Sequence, residues 1–506
     1  MPQSVHDKKG GRRPKTRAKD QFKVLILDLY VAWLEDPEQA LGVALDDHAY
    51  VAGSRYNALH ISSKMPQLVR ESAETGLIDL HKGSENSGLR TRIWPADPLI
   101  EHFEKALFSE FDIGSVETQE CVVLNSGSPT IKNNDEGPES PERFEVEILV
   151  EKEGDTDRRP ANFPLEYQDS DHPEIIRWRS EIQAYNRLLA RAFIDLGSAE
   201  RPVVERPVTS KGAKQTVSRV RITQRDKFVR RVFYRGSWEL GGRIHGGWWQ
   251  RIPSEYRKDI LINDQYTVEV DYSGLHVALI HALEGVHLQR DPYDLGSLFY
   301  GVRKKDQRDD VKSLVLMAIN AETLEGAFRA FLGKRNQEGR TAVSDKTGET
   351  IEVKYNFELL KKLIDAFVEV NPIMKDYLGT DQGVKLMHYD GEITTRLLKY
   401  FTERKIPVLS VHDSYIVQSE YEITLTNKMT EIAQEVMGNH QFKLTQDQLS
   451  PTIIRNLMIL DPQLGSKTPD YYKQLQKSVR RCKGYAERLN KYNRWLEINN
   501  DKLRNN

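Results

Sequence analysis

Apolar residues recur at helical spacing over Phe22–Leu34 (FKVLILDLYVAWL), so the first element predicted along the chain is a helix. A second, Ser62–Thr75, is closed by Gly76. Leu77–Leu80 then alternates as a short strand does, Gly83–Gly88 is a polar turn, and Leu89–Trp94 alternates again before Pro95 opens a helix near Leu99–Phe108. Farther on, Ile175–Phe193 (IIRWRSEIQAYNRLLARAF) has helical periodicity. In Thr267–His276 (TVEVDYSGLH), Val268 and Val270 alternate with charged neighbours, which sets Asp271 at the end of a strand. Gln307–Glu322 is a helix with an apolar face of Val311, Leu314, Val315, Met317 and Ala318. Ile406–Val417 consists of two apolar strand-like runs around His412-Asp413-Ser414, a tight hairpin with Asp413 at its tip.

At 506 residues, 39% hydrophobic and 29% charged, the chain has the length for about three domains and the composition of a folded, water-soluble protein. No run reaches the ~18–20 apolar residues of a membrane helix, and the basic start (Lys8, Lys9, Arg12, Arg13) leads into no signal-type segment. A cytoplasmic protein with no membrane partner is expected. Cys121 and Cys482 are too few for a cysteine zinc cluster and read as plain thiols.

The net charge of -2 conceals a segregation. Glu110–Pro160 holds 14 acidic and 5 basic residues and reads as a connector. Arg201–Arg251 holds 13 basic to 3 acidic residues, interleaved with aromatics, and Lys467 to the end holds 11 to 4. Both basic stretches suit a phosphate backbone.

Two aspartates on separate strands, Asp271 and Asp413, offer the hard oxygen ligands that a two-Mg²⁺ site uses for in-line displacement at phosphorus. Mn²⁺ would be accepted by the same ligands. Arg308 and Lys312, at i and i+4, share one helical face and suit the triphosphate of a nucleotide. The first 110 residues resemble a winged helix-turn-helix domain, whose DNA contacts would be Lys64, Arg70, Arg90 and Arg92.

The ordered set DYSGLH (Asp271–His276), Arg308-x-x-x-Lys312 and VHDS (Val411–Ser414) resembles motifs A, B and C of family A DNA polymerases and of single-subunit, phage-type RNA polymerases. Gly242-Arg243 followed by Gln250-Arg251-Ile252-Pro253 is similar to the stretch ahead of motif A in family A enzymes, and Asp291-Pro292-Tyr293 to their Asp-x-His. Lys385–Tyr400, with Asp390 and Glu392, occupies the place of the helix before motif C. The resemblance covers roughly Lys227–Gln418.

It implies metal ligation by Asp271, Asp413 and the Tyr272 carbonyl, and catalytic roles for Asp271, Asp413, Lys312 and His412 beside the primer end. Nucleotide contacts would come from Arg308, Lys312, Tyr272, Ser273, Gly274, His276 and Asn320. DNA contacts would come from Arg243, Gln250 and Arg251. Four positions depart from the pattern: His276 replaces the glutamate that excludes a ribose hydroxyl, Leu316 stands where family A enzymes have an aromatic that stacks on the incoming base, Asn320 replaces a tyrosine, and Ser414 is found in RNA polymerases where family A DNA polymerases have glutamate.

The fold class implied is α+β: a right-hand polymerase with palm, fingers and short thumb, preceded by a small winged helix. Its parts would be a basic tail (1–20), the winged helix (21–110), an acidic connector (111–160), a thumb-like helical region (161–225), palm and fingers (226–465) and a basic helical tail (466–506). The activity implied is template-directed nucleotidyl transfer, foremost a DNA polymerase without proofreading, acting on a DNA template and nucleoside triphosphates. Primase or single-subunit RNA polymerase activity is the alternative, and a non-catalytic DNA-binding regulator on the same scaffold is another. No motif names a further replication partner.

Overall fold

The computed structural model describes residues 16–46, 49–83, 91–113, 119–129, 162–208, 216–288, 290–338, 341–438, 440–446 and 481–504. Arg90, most of the acidic connector, residues 1–15 of the basic tail and the segment 447–480 lie outside the described residues. The chain folds as mixed helix and sheet of the α+β class. Among the described residues no helix is long and apolar enough to cross a membrane.

The N-terminal unit runs α1 (Ala18–Glu35), β1 (Leu41–Gly42), α2 (Lys64–Glu74), β2 (Ile78–His81), β3 (Arg92–Pro95) and α3 (Asp97–Glu104). Its strands form an antiparallel sheet in the order β1-β3-β2. Leu25, Leu29, Met65, Val69, Ile78, Ile93 and Phe103 close a core of their own beneath it. The helical spacing of 25/29 and 65/69 puts these residues on the inner stripes of α1 and α2.

The remainder is built on a larger core. In chain order come β4 (Val122–Leu124), α4 (Ile175–Arg191), β5 (Ile194–Leu196), β6 (Val203–Val208), β7 (Thr216–Arg221), β8 (Val229–Tyr234), β9 (Ser237–Gly246), α5 (Ser254–Arg257), β10 (Ile260–Ile262), β11 (Gln265–Tyr272) and α6 (Leu275–Leu283). After these follow α7 (Lys304–Asn320), α8 (Leu324–Glu338), β12 (Thr341–Val343), β13 (Thr350–Glu352), α9 (Phe357–Val370), α10 (Gly383–Glu403), β14 (Val408–Val411), β15 (Ser414–Gln418), α11 (Glu422–Met437), β16 (Leu444–Gln446) and α12 (Lys483–Arg504). The central antiparallel sheet has the order β14-β15-β11-β10-β5, with β16 pairing the far end of β11.

Residues 161–225 differ from the helical expectation. Among the described residues there only α4 is a helix; β5 is an edge strand of the central sheet, and β6 and β7 form a separate two-stranded ribbon. α4 is part of the main core, through Ile175, Trp178, Ile182, Tyr185 and Leu189. Its apolar stripe is satisfied by docking onto β8 and α10.

The long α10 packs against β9, α4, α6 and α11. At Gly391 a Cβ would lie 2.2 Å from the carbonyl oxygen of Gly242, so helix and strand touch backbone to backbone. Beneath the β14 strand, Trp248 and Trp249 are fully buried, each removing about 150–250 Å² from water. Trp249 Nε1 donates to the Ser410 carbonyl at 3.1 Å, which fixes where the following hairpin stands.

Candidate active site

Strand alternation along β11 buries Val268, Val270 and Tyr272 on one face and leaves Glu269 and Asp271 on the other. β15 pairs with it so that Asp271 lies opposite Ser414. Between β14 and β15 only His412 and Asp413 form the turn, and His412 takes the left-handed conformation with φ 55°. Tyr272 N–H donates to the Asp413 carbonyl at 3.2 Å. Two aspartates 142 residues apart in sequence therefore stand at the same end of the central sheet, one on β11 and one on the adjoining turn.

The backbone then turns sharply into α6 at Gly274, φ 65°. A Cβ here would lie 3.1 Å from Tyr293 Cε2, so glycine is required for both conformation and space. Tyr293 is buried, its hydroxyl has no hydrogen-bond partner, and burial pushes its phenol upward. Over its ring lies the Arg308 guanidinium at 5.6 Å, itself paired with Asp291 at 2.5 Å. Lys312, one turn along α7, is close enough to Asp413 to pull that carboxyl downward.

Opposing effects act on Asp413. Burial, then the neighbouring Asp390, raise its pKa, while Arg243 and Lys312 lower it; the net direction is upward. Asp390, fully buried on α10, forms an ion pair with Arg243. The same guanidinium donates through Nη2 to His276 Nε2 at 2.9 Å. Burial first, and Arg243 second, push His276 down to about 3 and His245 to about 4; His412 is also held well below its ordinary value. All three imidazoles are neutral at neutral pH. Since Nε2 of His276 accepts from arginine, its proton resides on Nδ1, which has no partner in the folded chain.

No protein-family model and no curated protein matches the chain. Among solved structures it is similar to the POL domain of Pol1 from M. smegmatis, in a complex with DNA primer-template and dNTP, with 12% identity and a TM-score of 0.24. That match covers 43% of this chain and spans 47% of the other, less than half its length.

The residues expected from sequence are distributed unevenly. Asp271, Tyr272, Ser273, Gly274, His276, His412, Asp413, Arg308 and Lys312 fall around the end of β11, the hairpin turn and the inner face of α7. Asn320 does not join them: its amide donates to the Leu316 carbonyl at 2.7 Å and its oxygen fills the space over Gly383, at the start of α10. Gln250 is 1% exposed, and its amide donates to the Ile244 and Ser410 carbonyls at 3.2 and 2.9 Å, which makes it an internal brace. Arg251 pairs with Asp226. Lys64 and Arg70 are exposed on α2, and Arg92 lies on β3 beside Trp94.

Several cations of the 201–251 stretch expected to face phosphates are, in the folded chain, paired with acids. Arg201 pairs with Asp36 and Glu38 at 2.9 Å and Arg225 with Asp28 at 3.1 Å. Arg231 and Arg235 pair with Glu392 and Asp381 at 2.6 Å. Net charge counted along the sequence misses these acids because they come from distant segments.

Two residues of the site lie outside the sequence-based assignment: Asp390, with Arg243 as its partner, and the Tyr293 hydroxyl. Asp390 carries a readable signal, an acid on the inner stripe of α10 in line with Leu386, Ile393 and Leu397. Ser414 is accounted for as well, its hydroxyl donating to Glu269 at 2.5 Å.

Proposed function

We propose that the chain is a template-directed nucleotidyltransferase, foremost a DNA-dependent DNA polymerase. The observation that carries the reading is the pairing of β11 with β15, which brings Asp271 beside Asp413 opposite the cationic face of α7. Two carboxylates plus the Tyr272 carbonyl are a donor set for Mg²⁺, which commonly takes one or two carboxylates and completes its shell with water and substrate phosphates. Asp413, half-buried with its carboxyl pushed upward, is in the condition expected of a ligand without its cation. Among the described residues no cluster of three or more His, Cys, Asp or Glu forms a metal cage, which suits a site completed by substrate. When bound, the metal supplies Lewis acidity to the attacking hydroxyl and the α-phosphate.

The chain's own side chains have separate tasks. Asp271 and Asp413 hold the charge that orients the cation. Lys312 and Arg308 bind the triphosphate and neutralise the departing pyrophosphate, with the Tyr293 hydroxyl as a further donor. His412, neutral and rigid at the turn, packs beside the primer end. The N-terminal unit, with its β1-β3-β2 sheet against α1 and α2, is read as a winged helix that holds the template through Lys64, Arg70 and Arg92.

A second reading, primer or transcript synthesis, is favoured by His276. A neutral imidazole in place of a carboxylate leaves room and a donor near the sugar. Primer extension with Mg²⁺, run with dNTPs and with NTPs, with and without primer, separates the readings. Extension with dNTPs that is lost in Asp413→Asn supports a DNA polymerase, and primer-free products from NTPs support the second. DNA binding with no product in any lane leaves a non-catalytic binder.

A further inference from the structure

Helix α7 carries Arg308 and Lys312, and a helix turned about its own axis would point both away from the site. What fixes its rotation lies on the opposite side. At about 100° per residue, Arg308 and Lys312 differ by about 40°, and Asp310 stands about 180° from their bisector. Asp310 is 3% exposed. It accepts hydrogen bonds from Tyr300 Oη and, at 2.7 Å, from Tyr355 Oη, and forms an ion pair with Arg335 of α8. Burial first, then the Asp310 charge, push both phenols upward, so each keeps its proton and remains a donor. One turn earlier, Gln307 is equally buried, accepting from Phe299 N–H at 2.8 Å and donating to the Ser297 carbonyl at 2.7 Å.

From this we infer that Asp310 is a positioning residue for the nucleotide clamp: its cluster with Tyr300, Tyr355 and Arg335 locks the rotation of α7 so that Arg308 and Lys312 face Asp413. This rests on reading those two cations as the triphosphate site. The arrangement has directional logic. A carboxylate can accept from two phenols and a guanidinium at once, and these three donors arrive from the loop before α7, the segment before α9, and α8. An apolar residue at 310 would bury equally well but would leave the azimuth free.

The test uses the full-length protein with Asp310→Asn, Tyr300→Phe and Tyr355→Phe. Steady-state primer extension is measured with dNTP varied, alongside equilibrium binding of inorganic tripolyphosphate and of primer-template. Asp310→Asn should raise KM for dNTP by about tenfold or more, with kcat within about threefold and primer-template affinity unchanged. Each phenylalanine variant, which keeps the charge pair, should give a smaller rise. A general loss of folded protein lowers kcat and leaves KM alone, so the split separates positioning from bulk stability. If Asp310→Asn does not fold, the two phenylalanine variants decide. An unchanged KM, or a loss confined to kcat, overturns the inference. Should the wild type extend no primer, the polymerase reading falls, and tripolyphosphate affinity judges the clamp by itself: loss in Asp310→Asn upholds the positioning role, and no change removes it.

Discussion

His245, His276 and His412 carry ionisable rings where burial and the Arg243 charge oppose protonation, and this makes the site sensitive to acid. Each has a folded pKa below its ordinary value, to about 4 for His245 and about 3 for His276. A group whose pKa is depressed by folding contributes stability above its unfolded pKa, about 6.5, and loses it as pH falls toward the folded value. The histidine contribution to the denaturant midpoint should therefore fall from pH 6.5 to pH 4, so that His245→Gln loses less of its midpoint than the wild type over that range. An unaltered slope in the variant would show that folding does not shift the His245 pKa. Beside these rings, Asp390→Asn removes the buried partner of Arg243. Breaking one side of a buried ion pair costs about 3–5 kcal/mol, a loss that urea unfolding reads directly. A change under about 1 kcal/mol would mean that Arg243 finds water instead.

At the scale of elements, the contact of α10 with β9 is set by glycine. Gly391→Ala should improve intrinsic helix propensity by up to about 1 kcal/mol, yet the new Cβ would lie 2.2 Å from the Gly242 carbonyl oxygen, backbone that cannot swing aside. The net expectation is a lower melting temperature and loss of alignment between Asp390 and Arg243; a higher one would mean that helix and strand separate freely. This contact was not legible in the sequence, where Gly391 reads as an ordinary weak point in a helix. Legibility followed periodicity and range. The β11 strand and the β14–β15 hairpin were readable because alternation and a short polar turn are local, and so Asp271 and Asp413 could be placed at strand ends. The amphipathic stripe of α7 was readable for the same reason. Short strands were not: β5, β6 and β7 have three to six residues each and follow a strong helix, and what makes β5 a strand is its partner β10, some 65 residues later. Asp310 looks like a surface acid until the donors that surround it arrive from elsewhere.

On the scale of the whole molecule, the N-terminal unit and the main body have separate cores, and charged groups join them. Arg201, Arg221 and Arg225 reach Asp28, Glu35, Asp36 and Glu38, and a small cleft remains at the junction, lined by Glu35, Phe111, Phe193, Asp195 and Arg488 among others. Within it, burial raises the carboxyl of Glu35, and Arg221 at 3.9 Å, with the Thr223 hydroxyl, only partly offsets this. A carboxyl whose pKa is raised by folding contributes stability that is complete below its unfolded pKa, about 4.3, and is lost as pH rises through the folded value. Glu35 thus acts opposite in sign to the buried histidines, and a wild-type pH profile alone mixes the two. Comparing wild type with Glu35→Gln cancels the histidine contribution, since it is common to both proteins. The glutamine variant keeps the shape and the acceptor but has no proton to lose, so its melting temperature should rise relative to wild type as pH goes from 5 to 8. If the difference instead stays flat from pH 5 to pH 8, Glu35 is already ionised in the folded chain at pH 5, its pairing with Arg221 matches or outweighs the cost of burial, and the junction is held by charge throughout that range.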